Sequence, residues 1–234
     1  MTNRFIKKRL EIIQENILLS CQKSGRKSDE IKIIAVTKGI NVDFMQEALT
    51  CGLNRFGENR VQEAEQKRIY FQEKPIEWHF IGQLQRNKIP KVVEYFQYIH
   101  SLDQVNQLQA LEKRLKLQKK DPFPVFIQIN LTGKETQAGL EKQNVIPFLE
   151  SMQFYSRIRV KGLMTIGPQG NPDEIRRVFR ELHQLKEKIE DKNYSWVSPR
   201  LDLSMGMSDD YPIAVEEGAT YLRLGRCLFG ERSY

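Results

Sequence analysis

A lysine at the end of an apolar run is the first residue in the sequence that could carry chemistry. Lys38 follows residues 31–37 (IKIIAVT), a run with the length and composition of a strand that is covered on both faces. An amine at the mouth of such a strand loses part of its hydration and can form a Schiff base with an aldehyde. Taken alone, a solvated lysine at a strand end is the simpler interpretation.

Two later segments carry groups that bind phosphate. Ser204 and Ser208 flank Met-Gly-Met after one apolar run, and Gly225-Arg226 follows another. Hydroxyls and backbone N–H groups that a ligand can approach closely are typical of phosphate sites. Helix capping by Ser208 explains the first segment by itself. In combination with Lys38, the two segments predict an aldehyde-reactive amine beside a phosphate site.

That combination matches the chemistry of pyridoxal 5′-phosphate. The cofactor has an aldehyde, a phosphate and a ring nitrogen that needs a partner. Arg223 lies two residues before Gly225, so both fall on the same face of a strand. We therefore expect Arg223 to face the ring nitrogen, with an ordinary ion pair as the alternative.

The elements that must position these residues alternate along the whole chain. Strand-like runs are separated by helical patterns, such as the apolar stripe from Ile175 to Ile189 that starts after Asn171-Pro172. The order predicts a parallel sheet, and eight strands favour a closed (β/α)8 TIM barrel over an open doubly wound sheet. We expect one domain over residues 1–234, with an additional N-terminal helix from residue 3 to about 21. The predicted strands are 31–37, 55–58, 78–82, 98–102, 125–130, 160–166, 201–205 and 221–225.

The composition is that of an ordinary globular protein. The chain has 234 residues, of which 40% are hydrophobic and 29% charged. No apolar run is long enough to span a bilayer, and the N-terminus carries no visible secretory signal. The three cysteines lie far apart, which excludes a disulfide framework and fits a reducing cytoplasm. We expect a cytoplasmic protein with no membrane partner, and a monomer.

The formal charge of +7 leaves nucleic acid as a possible partner. The densest basic segments are residues 114–120 and Arg176-Arg177, and both lie beside acidic residues on helical patterns. Solvated helix faces explain them better than a nucleic-acid interface. We therefore expect no nucleic-acid partner.

Seven motifs together resemble the YggS/PROSC family of pyridoxal-phosphate-binding proteins, also called pyridoxal phosphate homeostasis proteins. The resemblance covers nearly the whole chain, and the combination of motifs is highly specific. The motifs are AVTK ending at Lys38, FGENR ending at Arg60, WHFIG ending at Gly82, IHSLD ending at Asp103, KGLM ending at Met164, LSMGMS ending at Ser208, and RLG ending at Gly225.

The resemblance implies a fold type III barrel like the barrel domain of alanine racemase. It implies Lys38 as the lysine that holds the cofactor covalently and Arg223 as the partner of the pyridine nitrogen. It further implies that phosphate is bound by one hydroxyl and two amides, and that one amide side chain lies near the cofactor. These residues are Ser204, Gly225 and Arg226 for the phosphate, and Asn59 near the cofactor.

The sequence departs from the family pattern at two positions. Arg226 stands where the family usually has a small hydroxyl residue, so the backbone amide is kept but a hydroxyl contact is lost. Gln137 stands where the family commonly has lysine, which removes a positive charge. The guanidinium of Arg226 either replaces the lost contact with a charge-assisted bond or points elsewhere.

The expected function is holding the cofactor rather than transforming amino acids. Racemisation needs an acid/base group on each face of the substrate, and in alanine racemase the resemblance assigns the second group to an additional β-domain. Here the sequence ends at Tyr234, soon after the eighth predicted strand. An arginine stays protonated and makes the cofactor a poorer electron sink. We expect a non-catalytic carrier of pyridoxal phosphate that supplies apo-enzymes and affects amino-acid balance.

A weak racemase or related enzyme is the alternative. It would need a second acid/base group from His79, His100, Tyr95 or Cys51. Each of these is better explained as structural. His79 in particular lies inside an apolar strand, where a hydrogen-bonded core histidine is the better interpretation.

Overall fold

Eight parallel strands close into a barrel in the computed structural model, which describes residues 5–118 and 122–231. The strands pair in the order β4-β3-β2-β1-β9-β8-β7-β5, and pairing of β4 with β5 closes the ring. The predicted TIM barrel is therefore confirmed, and the open sheet is wrong. A short strand, β6 (Leu140–Glu141), pairs with the end of β5 and was not predicted. The barrel strands are β1 Lys32–Val36, β2 Arg55–Glu58, β3 Glu77–Phe80, β4 Tyr98–Leu102, β5 Phe123–Asn130, β7 Ile158–Met164, β8 Val197–Ser204 and β9 Tyr221–Leu224.

Helices surround the barrel. The additional N-terminal helix is present from Phe5, and Asn3, its predicted start, lies outside the described residues. This helix packs against the last two helices and the second, so it completes the outer ring as the sequence suggests. The helices are α1 Phe5–Ser24, α2 Val42–Thr50, α3 Val61–Arg68, α4 Ile89–Tyr95, α5 Val105–Gln118, α6 Val145–Ser151, α7 Pro172–Glu190, α8 Tyr211–Glu216 and α9 Arg226–Phe229.

The start of α7 shows how local sequence sets a helix boundary. The Asn171 side chain accepts a hydrogen bond from the Asp173 N–H at 2.9 Å, and Pro172 occupies the first helical position. This is the N-cap that the sequence predicts. The apolar stripe of α7 from Ile175 to Ile189 is buried against the barrel.

Alternate residues of each strand divide between two cores. Ile34 points into the barrel with Phe126, Met164 and Tyr221, whereas Ala35 packs in the layer between strands and helices. Both faces of the strands are thus buried, which explains why the runs are nearly continuous in apolar residues.

The basic segments pair with acidic neighbours. Arg176 contacts Glu216 at 2.5 Å and Glu217 at 2.8 Å, and Lys116 contacts Glu112 at 3.2 Å. These pairs are consistent with the solvated helix faces that we expected. Lys119 and Lys120 of the denser segment lie outside the described residues. Over residues 5–118 and 122–231, no helix combines the length and apolarity that crossing a membrane requires.

Candidate functional site

A pocket of about 370 Å³ opens at the C-terminal ends of the barrel strands, where sites of this fold lie. Its volume is in the range of small-molecule sites. Five of the six predicted cofactor residues line it, and the sixth, Ser204, does not. The five are Lys38, Asn59, Arg223, Gly225 and Arg226.

Lys38 lies two residues beyond the end of β1 and is half-buried. Across the described ranges, the Lys38 amine has no hydrogen-bond or ion-pair partner. The residues on either side of Lys38, in contrast, both donate hydrogen bonds to carboxylates. The Thr37 hydroxyl donates to Glu58 Oε1 at 2.7 Å, and the Gly39 N–H donates to Glu63 Oε2 at 2.9 Å. The backbone of Lys38 is therefore fixed while its amine is left available.

A buried ion pair completes this support, and we call Thr37, Glu58, Glu63 and Lys67 the Lys67 clamp. Lys67 Nζ donates to Glu58 Oε1 and to the Thr37 carbonyl, each at 2.6 Å, and lies 3.5 Å from Glu63 Oε2. Burial raises the pKa of Glu58, while the charge and hydrogen bond of Lys67 act in the opposite direction. Sequence reasoning missed this cluster, because a pairing between a residue of β2 and one near the end of α3 has no local sequence pattern.

Arg223 forms the inner wall of the pocket. Its side chain is buried and donates to Ser204 Oγ at 2.8 Å and to the Thr165 carbonyl at 2.9 Å. Among the residues that the structure describes it has no ion pair, so the ion-pair alternative is wrong. Burial lowers the pKa of Arg223 to about 10, partly offset by the Asp210 carboxylate. At neutral pH the guanidinium therefore stays charged and presents donors to the pocket.

The two serines of the LSMGMS motif have different places. Ser204 is the last residue of β8, is fully buried, and contacts Arg223 and His100 Nδ1, the latter at 2.9 Å. Ser208 lines the pocket, and its hydroxyl accepts the Cys227 N–H at 3.1 Å. Ser208 does not cap α8, whose N-cap is Asp210. The pocket hydroxyl of the motif is thus Ser208, and a phosphate contact of Ser204 stays a prediction.

Gly225 and Arg226 stand at the start of α9, where the first N–H groups have no intrahelical acceptor. The Arg226 guanidinium points to the carboxylate of Asp209, which also lines the pocket, and this pairing raises the pKa of Arg226. The Arg226 side chain thus has a carboxylate partner at the pocket, and its part in phosphate binding stays a prediction.

Gln137, the second departure, does not line this pocket. Its side chain donates to the Ile166 carbonyl at 3.0 Å and accepts the Thr132 hydroxyl at 2.9 Å. Ile166 lines the pocket after β7. Gln137 therefore ties the loop after β5 to the pocket wall with neutral hydrogen bonds.

The position of the Asn59 backbone depends on the lack of a side chain at Gly82, which lies directly against it. A Cβ at position 82 would lie 2.1 Å from the Asn59 carbonyl oxygen and 2.7 Å from the Asn59 Cα. Because both atoms belong to the backbone, neither can rotate away. The glycine of the WHFIG motif thus allows β3 to bring its end against the residue that lines the pocket.

We expect Gly82→Ala to reduce the free energy of unfolding by about 1–3 kcal/mol, since the added methyl forces a backbone shift. Denaturant titration of the cofactor-free protein measures it. Gly225→Ala is the matched control, because its added Cβ would meet Val36 at an ordinary 3.5 Å rather than a backbone atom at 2.1 Å. Equal stability of the two variants would contradict the close-approach argument.

The candidates for a second acid/base group lie elsewhere. His79 and His100 are fully buried inside the barrel, which confirms the core interpretation of His79. The Tyr95 hydroxyl donates to Glu65 at 2.7 Å on the helical layer, and Cys51 follows the last residue of α2. None of the four lines the pocket of Lys38 within the part of the chain that the structure describes.

The closed parallel barrel, with Lys38 at the mouth of its first strand, is the fold of a known family of proteins. Residues 9–233 match the family model of the alanine racemase N-terminal domain, and the chain belongs to this family. Alanine racemase of Clostridium difficile 630 has the same fold, with a TM-score of 0.75 at 13% identity, covering 99% of this chain and 58% of that chain.

Within this class, the chain is similar to proteins named pyridoxal phosphate homeostasis protein. The relative from Aquifex aeolicus is 38% identical, covering 97% of this chain and 98% of that protein. The relative from Escherichia coli K12 is 32% identical, covering 95% of this chain and 94% of that protein. PipY of Synechococcus elongatus PCC7942, solved with pyridoxal phosphate bound, has a TM-score of 0.84 at 31% identity, covering 96% of this chain and all of that chain. The resemblance carried by the seven motifs is confirmed.

Proposed function

We propose that this protein binds pyridoxal phosphate as a Schiff base on Lys38 and serves in its homeostasis without catalysing a reaction. The observation that carries the proposal is the free Lys38 amine facing the same pocket as the buried guanidinium of Arg223. The names of the relatives and the bound cofactor in PipY support the choice of ligand. When bound, the cofactor supplies an aldehyde that an amine attacks with loss of water.

Each residue at the mouth has a separate task in this proposal. Lys38 provides the amine, and Arg223 donates to the ring nitrogen. The Ser208 hydroxyl and the amides of Gly225 and Arg226 bind the phosphate, a mixture that phosphate sites favour. Asn59 contacts the cofactor from the end of β2.

The chemistry of Arg223 supports holding rather than turnover. A guanidinium with a pKa of about 10 gives the ring nitrogen a hydrogen bond but not a proton at neutral pH. Electron withdrawal by the ring is then weak. The carboxylate of Asp209 at the pocket is engaged by Arg226, so it is a poor acid/base group.

Reconstitution and isotope exchange test the proposal together. The cofactor-free protein should take up one equivalent of pyridoxal phosphate, and borohydride should fix its mass on the chain. Single amino acids deuterated at Cα should then keep their deuterium over many equivalents. Repeated exchange of deuterium would establish the alternative, a weak racemase or related enzyme.

We further propose that the cofactor passes from this site to apo-enzymes in the cytoplasm, and thereby affects amino-acid balance. The open mouth of the pocket supports exchange with other proteins. Mixing the loaded protein with a pyridoxal-dependent apo-enzyme should restore that enzyme's activity. The control uses free pyridoxal phosphate at the concentration that the loaded protein releases by itself. If the apo-enzyme recovers no faster with the loaded protein than in this control, direct transfer is contradicted.

We expect Arg226→Ala to leave the affinity for pyridoxal phosphate within a few-fold of wild type, because the backbone amide survives. An exposed ion pair contributes little by itself. Equilibrium dialysis measures the affinity. Asp209→Asn is the matched variant, since it frees the guanidinium: tighter binding there would show that Asp209 holds Arg226 away from the phosphate. A large loss in Arg226→Ala would show that the guanidinium binds phosphate directly.

A further inference from the structure

A continuous row of hydrogen bonds crosses the interior of the barrel. Arg223 Nη1 lies 2.8 Å from Ser204 Oγ, which lies 2.9 Å from His100 Nδ1. His100 Nε2 lies 2.9 Å from His79 Nδ1, and His79 Nε2 lies 2.9 Å from Glu77 Oε1. We call these five residues the interior relay. It joins the pocket at one end of the barrel to the first residue of β3 at the opposite end.

Only one arrangement of protons satisfies every contact of the relay. Arg223 can only donate, so Ser204 accepts from it and gives its own proton to His100 Nδ1. His100 then carries its proton on Nε2 and donates to His79 Nδ1. His79 likewise carries its proton on Nε2 and donates to the Glu77 carboxylate. The reverse order would set a bare imidazole nitrogen against the carboxylate.

The charge states fit this arrangement. Burial lowers the pKa of His79 and of His100, so both imidazoles are neutral. The pKa of Glu77 is lowered by His79 and by Arg55, whose Nε lies 3.0 Å from Glu77 Oε1, although its partial burial acts in the opposite direction. The relay therefore runs from a buried cation to a carboxylate through two neutral rings.

The surroundings hold both rings in place. His100 stacks on Phe126 with ring centroids 4.1 Å apart, and His79 stacks on Tyr98 at 4.8 Å. The Tyr221 ring packs against the edges of both imidazoles, and Lys32 Nζ lies 3.3 Å from the Tyr221 hydroxyl. A rotation of either imidazole would therefore disrupt its stacking on a neighbouring aromatic ring.

We propose that the interior relay positions Arg223 and orients its free donors toward the pocket. Ser204, His100 and His79 are then positioning residues, and Glu77 is the distant counter-charge. The proposal rests on the proposed function only for the identity of the ligand. It gives Ser204 a task that requires no contact with phosphate, and it assigns a role to two histidines that the function does not otherwise use.

The proton arrangement can be tested on the protein without cofactor. Long-range ¹H–¹⁵N spectra should show both relay histidines neutral, each with its proton on Nε2, from mildly acidic to mildly basic pH. The chain has three histidines, and the third, His183, is partly exposed on α7, so its signals provide a reference outside the relay. A proton on Nδ1 of His79 or His100, or ordinary titration of either ring, would overturn the proposal whether or not pyridoxal phosphate binds.

Variants then test the link to Arg223. His100→Phe keeps the aromatic packing and removes both ring nitrogens, while Ser204→Ala removes the hydroxyl. Each should broaden the slowly exchanging Nη–H signals of Arg223 in the cofactor-free protein and weaken pyridoxal phosphate binding by about tenfold or more, as expected when a buried polar group loses its partner. His183→Phe should change neither.

The double variant decides whether the two residues act through one relay. If they do, His100→Phe with Ser204→Ala should bind no more weakly than the worse single variant. Effects that multiply would show independent roles and overturn the proposal. Glu77→Gln keeps a hydrogen-bond acceptor for His79 but removes the negative charge, and should therefore change the Arg223 signals. Unchanged signals would overturn the counter-charge role of Glu77.

Discussion

Lys38→Ala is expected to abolish the visible absorbance band that pyridoxal phosphate acquires on this protein. The band requires a Schiff base, and Lys38 is the amine of the pocket that carries no partner across the described residues. Borohydride should leave a mass adduct on Lys38 in the wild type and none in the variant. Absorbance spectra and peptide mass spectrometry measure both effects.

Two controls separate the covalent role of Lys38 from its charge. Lys38→Arg keeps the positive charge but cannot form the Schiff base, so it should lose the band as completely as alanine does. Lys32→Ala removes a lysine from the opposite end of the same strand, where its amine faces the Tyr221 ring, and should keep the band. An unchanged band at full occupancy in Lys38→Ala would refute the assignment.

Lys67→Met is expected to cost about 3–5 kcal/mol of unfolding free energy, the range for removing one partner of a buried ion pair. The Glu58 carboxylate is fully buried, and Lys67 is its charged partner at 2.6 Å. Denaturant titration of the cofactor-free protein measures the loss. Lys91→Met, which breaks an exposed pair with Glu65, is the matched control and should cost far less. Similar costs would contradict the burial argument.

The loss in Lys67→Met should shrink as the pH falls. Because the pKa of Glu58 is raised in the folded protein, protonation of this group favours folding. That contribution is present at low pH and disappears as the pH rises through the folded-state pKa. Without Lys67 the pKa of Glu58 rises further, so the variant recovers stability from neutral into mildly acidic pH. A pH-independent difference from wild type would show that the carboxylate stays charged or is hydrated.

The barrel follows from the sequence because its strands are apolar on both faces. Runs such as residues 31–37 place Ile34 in the interior and Ala35 against the helices, and this double burial is what a continuous apolar run indicates. The positions of Lys38 and Arg223 in one pocket were predictable for a related reason, because each lies near the C-terminal end of a strand and these ends meet at one mouth.

The roles of Ser204 and Ser208 could not be separated from the sequence. The predicted strand already ends between the two serines, but the sequence does not show which of them lines the pocket. In the structure Ser204 contacts His100 and Arg223 inside the barrel, whereas Ser208 lies in the following loop and lines the pocket. The partners Glu58 and Lys67 are nine residues apart, and a pairing of that kind has no local pattern. The same holds for His79 and His100, which meet only when β3 and β4 pair.

The docking of α1 has a consequence for how the chain is made. Asn16 donates to the Tyr211 hydroxyl at 2.8 Å, and Arg26 donates to the Val215 carbonyl at 2.8 Å. Arg9 reaches the Cys227 carbonyl at 3.2 Å. During synthesis α1 leaves the ribosome long before α8 and α9 exist, so the part of its surface that these two helices cover can be buried only after they emerge. The same segments that receive α1 lie beside β9, the strand that pairs with β1, so the first and last elements of the barrel come together at the end of synthesis.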